Sequence, residues 1–288
     1  MKKTTLAKTV AMVLASSALS MTAATATAST TMYNTFVIDL NPEDSNTDGW
    51  TYTDGKDNQG LGTASGATVV PWVGTAGGAR PFGYTGASAL NWAAHITNAG
   101  DSLTISAADA ASRYNGVQVD IDSGKGAWKD TSSLHQGWAH NTDIGLFKSD
   151  VTTKVSLTAN FVNNPTAKFG ITLFTGQDTG TTYTHHKNWN NPPLAAYTKS
   201  NPFNTTGVTY QAYGINVDST NAFEFIAEAG QIYSIYLGGY LGSSSWLTGR
   251  DFYQLNIATS PVPVPAAAWL FGSGLFGLMS YGRRKKLA

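Results

Sequence analysis

The chain has 288 residues and no cysteine, and only 12% of its residues are charged. This length suits one large domain or two small ones, and a chain without cysteine has no disulfide framework, thiolate metal site or cysteine nucleophile. The formal net charge is zero, but the charges are unevenly distributed along the chain. All 18 acidic residues lie between Asp39 and Asp251, whereas seven of the 18 basic residues lie in the two tails. The body between the tails carries eleven basic and eighteen acidic residues, a net charge of −7, which argues against nucleic acid as a partner.

The first 28 residues predict a secretory signal peptide. A basic head precedes a mildly apolar stretch over residues 10–24, and small residues at Ala24-Thr25-Ala26 and Ala26-Thr27-Ala28 offer two cleavage sites. We expect cleavage after Ala28. The segment is short and rich in Ser and Thr, so a retained membrane anchor is the less favoured interpretation. The basic residues of the head are Lys2, Lys3 and Lys8.

The body, residues 29–260, shows the alternation of apolar and polar side chains that is typical of half-buried strands. Turn-forming Gly, Asn and Pro residues separate the alternating runs, and no window has sustained helical spacing. We therefore predict an all-β fold, an antiparallel β-sandwich of jelly-roll type. The alternating runs are residues 117–121, 155–161, 169–173, 223–225, 233–237 and 253–257.

Two further expectations concern how the body is arranged. Residues 223–239 predict a hairpin with a tight turn at Ala229-Gly230, and this pattern is similar to the closing hairpin of β-sandwich domains found beside secreted bacterial enzymes. Residues 31–130 are looser and rich in Gly, Ala and Thr. They form either a separate small domain, with a boundary near residue 130, or the early strands of one sandwich, which we favour because all-β domains often reach this size.

Catalytic motifs are not recognisable in the sequence, so we do not predict an enzyme. It contains neither a GxSxG nucleophile elbow nor an HExxH zinc helix. Asp120 and Asp122 would share one strand face at about 6.6 Å, a spacing that suits a glycosidase pair, but a solvent-facing strand ending at Ser123-Gly124 is the favoured explanation. A secreted polysaccharide-active enzyme remains the alternative.

Acidic residues near predicted turns suggest a calcium site. Asp120, Asp122 and Asp143 lie near Gly or Thr, where hard cations find short oxygen ligands, although no EF-hand spacing occurs. Turn-forming aspartates without a metal are the other interpretation. A transition-metal site at the adjacent His185 and His186 is a weaker alternative.

Tryptophans beside polar side chains suggest carbohydrate binding. Flat aromatic rings stack on sugars, and amides and imidazoles can bond their hydroxyl groups. The same tryptophans could instead pack the sandwich core. The candidate residues are Trp138, His140 and Asn141 in one cluster and Trp189 and Asn190 in another.

The C-terminal segment, residues 261–288, combines a proline cluster, an apolar stretch and a basic end. The 17 residues of 266–282 carry no charge and would extend about 25 Å as a helix, close to the lower limit for crossing a bilayer. The four cations Arg283, Arg284, Lys285 and Lys286 would hold the end of this single transmembrane helix in the cytoplasm. A permanent tail anchor is one interpretation of the segment.

A second interpretation follows from a resemblance. The motif Val262, Pro263, Val264, Pro265, followed by the apolar run 269–278 and the basic cluster, resembles a PEP-CTERM sorting signal. Val264 stands where that signal commonly has Glu, which makes this a VPxP variant. The resemblance covers residues 261–288 and implies recognition by an exosortase, a membrane-embedded processing enzyme, in bacteria that make exopolysaccharide.

These features together predict an exported protein. It would be anchored transiently in the inner membrane by the tail and then lie at the cell surface or in the extracellular matrix. The body would have a binding or structural role associated with exopolysaccharide in a biofilm. A permanently membrane-anchored periplasmic protein is the alternative destination.

Overall fold

A computed structural model of the chain describes residues 28–35, 52–53, 68–69, 72–86, 90–131, 135–138, 142–180, 206–240 and 250–263. Within these ranges lie fifteen β-strands and one α-helix, α1, at Ala107–Arg113. The strands are β1 Thr30–Asn34, β2 Tyr52–Thr53, β3 Thr68–Val69, β4 Trp72–Val73, β5 Trp92–Ile96, β6 Ser102–Ile105, β7 Asp122–Thr131, β8 His135–Trp138, β9 Asp143–Ser149, β10 Thr153–Phe161, β11 Phe169–Gly176, β12 Val208–Val217, β13 Phe223–Ala227, β14 Ile232–Tyr240 and β15 Arg250–Pro261.

The predicted alternation is confirmed in the second half of the body. In β10 the side chains of Val155, Leu157, Ala159 and Phe161 are all fully buried, and the polar residues between them are half-buried. The same pattern recurs in β15, which pairs antiparallel with β10 over nine positions. Period-two alternation therefore creates one buried face on each of these strands.

Thirteen strands are linked by pairing into one mixed sheet, while β2 and β3 pair with each other. One part of the sheet contains β13, β10, β15 and β6, and a second contains β4, β1, β5, β9, β14, β11 and β12. Strand β7 joins the two parts, because it pairs with β15 and with β14.

The two parts of the sheet face each other across a shared apolar core. The rings of Phe161 on β10 and Phe169 on β11 stack with centroids 3.9 Å apart. Trp92 on β5 donates its indole N–H to the hydroxyl of Tyr253 on β15 at 3.1 Å. The arrangement is sandwich-like. It is not purely antiparallel as we predicted, since β5 pairs parallel with β9 and β7 with β14. Long connections separate the partners in each of these pairs, and parallel pairing requires such connections.

The hairpin predicted over residues 223–239 is wrong. β13 pairs with β10, whereas β14 pairs with β9 and β11, so the chain crosses from one part of the sheet to the other at this turn. The backbone N–H of Gly230 donates to Ser149 at 2.7 Å, and that of Glu228 donates to the hydroxyl of Tyr233 at 2.9 Å. These two hydrogen bonds stabilise a connection between the two parts of the sheet instead of a hairpin loop.

Two local features were not predicted correctly. The sequence suggested no helix, yet α1 forms after Ser106, whose hydroxyl accepts a hydrogen bond from the N–H of Asp109 at 3.0 Å. That pair is an N-capping pattern that the sequence displays. Residues 117–121, predicted as a strand, are irregular, and β7 begins only at Asp122 and continues through the expected turn at Ser123-Gly124.

The two chain ends fall mainly outside the described residues. Of the predicted signal peptide only Ala28 is described, and the C-terminal segment is described only to Pro263, so the predicted span 266–282 lies beyond it. Among the residues that the structure covers, no helix is long and apolar enough to cross a membrane.

Candidate functional site

Aromatic side chains gather on the face of β7, β11, β12 and β14 that points away from the shared core. We call Trp128, Tyr210, Tyr213 and Tyr240 the outer aromatic surface. Trp128 is fully buried, while Tyr213 keeps 40% of its surface exposed and stacks on the indole with centroids 5.9 Å apart and planes 25° from parallel. The ring of Tyr240 approaches the same indole edge-on at 6.0 Å.

The indole of Trp128 is fixed by a hydrogen bond and by close packing against β11. Its N–H donates to the hydroxyl of Thr172 at 2.8 Å, inside the protein. Gly170 of β11 lies directly under the ring, where an added Cβ would come within 2.2 Å of the indole. A glycine at this position is therefore a packing requirement, and the fixed indole gives Tyr213 a rigid support.

A bulge in β12 brings Tyr210 and Tyr213 to the same face. The register between β11 and β12 shifts between Leu173 and Phe174, which pair with Ala212 and Tyr210 respectively. Tyr210 packs edge-on against Phe174 at 6.0 Å, on the face that also carries Trp128. Period-two reasoning places residues three apart on opposite faces, so the sequence analysis missed this surface.

The carbohydrate residues predicted from the sequence are placed only in part. The Cα of Trp138 on β8 pairs in register with that of Trp128 on β7. Position 138 therefore adjoins the outer aromatic surface along the backbone. His140, Asn141, Trp189 and Asn190 lie outside the described residues.

The structure brings together the three aspartates that we predicted as calcium ligands. Asp120, Asp122 and Asp143 keep only 6%, 2% and 1% of their surfaces exposed. Arg250, at the start of β15, donates to a carboxylate oxygen of Asp122. Tyr253 donates to Oδ2 of Asp143 at 2.7 Å, and Oδ1 of Asp143 is buried without a hydrogen-bond partner. We call these five residues the buried acidic cluster.

Burial dominates the electrostatics of the buried acidic cluster. It raises the pKa of Asp143 well above its ordinary range, and the neighbouring charge of Asp122 raises it further. Burial, followed by the charge of Asp143, also raises the pKa of Tyr253. The surroundings therefore favour the protonated form of Asp143 more than water would.

Neither proposed chemistry of these aspartates gains support from the geometry. Asp120 and Asp122 do not share one strand face, as a glycosidase pair was predicted to do, because β7 begins only at Asp122. The solvent-facing strand given as the alternative is also wrong, because both side chains are buried. Among the described residues, no group of three or more acidic or histidine side chains is arranged to hold a metal ion. Calcium binding at Asp120, Asp122 and Asp143 stays a prediction.

The predicted sorting motif begins where β15 ends. Val262 is half-buried and Pro263 is exposed, directly after Pro261 at the end of the strand. Val264 and Pro265 lie outside the described residues.

Comparison with known proteins gives distant likenesses only. No protein-family model and no curated protein sequence matches the chain. CorA, the surface-associated copper-binding protein important in copper acquisition by Methylomicrobium album BG8, is 11% identical with a TM-score of 0.29 and covers 57% of this chain and 96% of its own. The pre-peptidase C-terminal domain of a collagenase from Bacillus anthracis is 13% identical with a TM-score of 0.23, covering 57% and 93%. At these TM-scores neither likeness carries an argument about this chain.

Proposed function

We propose that this chain is an exported, exosortase-sorted protein of the cell surface or extracellular matrix, and that it binds polysaccharide through the outer aromatic surface. Export is supported by the signal-peptide pattern of residues 1–28 and sorting by the PEP-CTERM-like segment of residues 261–288. The single observation that carries the binding role is the half-exposed ring of Tyr213, stacked on a buried and hydrogen-bonded Trp128.

The chemistry of the outer aromatic surface suits a neutral sugar chain. Aromatic faces stack on the C–H face of a sugar ring, and tyrosine hydroxyls can both donate to and accept from sugar hydroxyls. The ten residues of β12 carry no charge, and the body as a whole has a net charge of −7, which would repel an anionic polymer.

The polar residues predicted from the sequence extend this proposal. Position 138, the first of the predicted group Trp138, His140 and Asn141, pairs in register with Trp128. We propose that this group contributes additional contacts to the same polysaccharide. The separate cluster at Trp189 and Asn190 is a second proposed contact.

Replacing Tyr213 with alanine tests the binding role. The stacked ring contributes on the order of 1 kcal/mol or more to a sugar contact, so we expect Tyr213→Ala to weaken binding of the producer's exopolysaccharide at least about 5-fold. Binding is measured by affinity electrophoresis and calorimetry, with neutral glucans as defined probes. Thermal unfolding of the variant should change little, because the ring is 40% exposed.

Ile226 supplies the matched control. It is 45% exposed on β13, in the other part of the sheet, so Ile226→Ala removes a comparable exposed apolar side chain at a distance from the aromatic surface. Its affinity should equal that of the wild type. Equal affinities for Tyr213→Ala and the wild type, or no binding of any glycan by the wild type, would refute the proposed binding role and leave a structural matrix role.

A further inference from the structure

Ser29, the first residue after the expected cleavage site, is tied into a turn of the folded body. Its hydroxyl donates to Oδ2 of Asp101 at 2.6 Å and accepts from the backbone N–H of Thr97 at 2.8 Å. Asp101 also accepts from the backbone N–H of Asn98 at 3.1 Å, which closes the turn between β5 and β6. Ala28 is exposed, whereas Ser29 is half-buried.

Covalent geometry places the backbone nitrogen of Ser29 close to the same carboxylate. The nitrogen of a serine lies at most about 3.7 Å from its own Oγ. With Oγ at 2.6 Å from Asp101 Oδ2, the nitrogen of Ser29 is within roughly 6 Å of that oxygen. An opposite charge at this range stabilises a charged group measurably.

Cleavage changes the charge of that nitrogen. In the uncleaved chain it is a neutral amide, and after cleavage it becomes an α-amino group with an ordinary pKa of about 7.7–8.0, mostly protonated at neutral pH. Hydrogen bonding from Ser29 is the main cause that lowers the pKa of Asp101, so the carboxylate is ionised under the same conditions.

Asp101 is the available anionic partner in this region. Three other side chains of the neighbouring elements have contacts of their own: His95 of β5 contacts Asp150 after β9 at 2.9 Å, Arg113 of α1 contacts Asp109 at 2.7 Å, and Lys148 of β9 lies over the ring of Phe82, 5.9 Å from its centroid. Tyr114 after α1 donates to the backbone carbonyl of Thr31.

The same turn holds the strand that leads to the sorting motif. The backbone carbonyl of Asp101 accepts from both the hydroxyl and the N–H of Thr259 on β15, at 2.7 and 3.0 Å. Thr259 lies two residues before the end of β15 at Pro261. One turn thus connects the N-terminal residue of the cleaved chain with the exit of its C-terminal segment.

We infer that cleavage after Ala28 completes this turn by creating an ion pair between the new α-ammonium group of Ser29 and the carboxylate of Asp101. The inference rests on the export proposed above. The pair exists only in the processed protein, so removal of the signal peptide adds an interaction that the precursor lacks. The Asp101 turn would therefore hold both the mature N-terminus and Thr259 more firmly after processing.

Competitive labelling of the α-amino group on the full exported chain tests this inference. Mass analysis of the N-terminal peptide first identifies the starting residue, and the pH dependence of acetylation then gives the pKa of its amino group. We expect a start at Ser29 and a pKa raised by roughly 0.5 unit over the Asp101→Asn variant. Asp150→Asn, which removes a carboxylate from the same end of the sheet, should retain the wild-type value.

The outcomes separate this inference from the proposed function. A chain that retains Met1 overturns both the export and the ion pair. A chain that begins at Ser29 with the same amino pKa in wild type and Asp101→Asn overturns the ion pair alone. Should Asp101→Asn fail to fold, one glycine inserted after Ala28 moves the ammonium group by about 3.8 Å and should lower its pKa to the ordinary value. A pKa that the insertion leaves unchanged also overturns the pair.

Discussion

Asp143 is buried with one carboxylate oxygen bonded to Tyr253 and the other without a partner, close to Asp122. Its raised pKa means that the folded state binds this proton more tightly than the unfolded chain. The free energy of unfolding therefore falls as pH rises above the ordinary value of about 3.9, until the folded-state pKa is reached.

We expect Asp143→Asn to stabilise the protein at pH 7, by about 1–2 kcal/mol, because the amide keeps an acceptor for Tyr253 and needs neither a buried charge nor the uptake of a proton on folding. The variant should also lose the decline of stability with pH described above. Urea unfolding followed at pH 4, 5.5 and 7 measures both effects. Asp150→Asn, at an exposed carboxylate, should change the unfolding free energy by less than about 0.5 kcal/mol.

A loss of stability in Asp143→Asn would instead support the prediction of a calcium site. If Asp120, Asp122 and Asp143 bind calcium, Asp143→Asn would lower stability in calcium and have its smallest effect in a chelator. The sequence analysis named these three residues together because each lies near Gly or Thr in a predicted turn. The sequence could not show that these residues are buried or that Arg250 contacts Asp122. Arg250 lies more than 100 residues away along the chain and reaches Asp122 only because β7 pairs with β15.

At the scale of the strand, the close approach of β11 to Trp128 makes a specific prediction. Gly170→Ala would place a methyl carbon within 2.2 Å of the indole of Trp128, so we expect a loss of about 1–3 kcal/mol in unfolding free energy. Adding Trp128→Phe should recover part of this loss, since the smaller ring leaves room for the methyl group. Thermal and urea unfolding of the two single variants and the double variant measure this coupling.

A Gly170→Ala variant as stable as the wild type would contradict the packing described for Trp128. Equal losses in the single and double variants would do so as well. The Gly170→Ala variant also has a second readout, because a displaced indole would disturb the ring of Tyr213 that stacks on it.

Strands were predictable where alternation alone decides their faces, as in β10 and β15. The prediction of strand pairing failed where the pairing depends on a strand far away along the chain. The turn at Ala229-Gly230 has the local sequence of a hairpin turn, yet β13 pairs with β10 and β14 pairs with β9. The bulge in β12 likewise depends on the register of β11, which local sequence does not encode.

On the scale of the whole molecule, strands on the two sides of residue 130 share one sheet. β5 pairs with β9, and Trp92 reaches Tyr253 across the core. A division of the body near residue 130 would have to break these contacts. The sequence could not decide the question, because the pairing of early with late strands leaves no local pattern.

Processing at the C-terminal end is a prediction about the whole chain. We expect the intact mass of protein recovered from its native producer to lack the residues beyond the motif that begins at Val262. A double variant, Pro263→Ala with Pro265→Ala, should retain them, whereas Pro165→Ala in the turn after β10 should be processed normally. A wild-type mass that includes residues 266–288 would establish the permanently membrane-anchored alternative instead.

The position of β15 has a mechanical consequence. A body attached through residues beyond Pro261 would transmit every external pull into β15, which is paired at nine positions with β10 and at four with β6. Tension along the strand axis loads these hydrogen bonds together in shear, whereas tension across a sheet edge opens them one at a time. The turn of Asp101 and Thr259 lies where the tension would enter. Such a pull would therefore be taken up first by a strand that is paired along both of its edges.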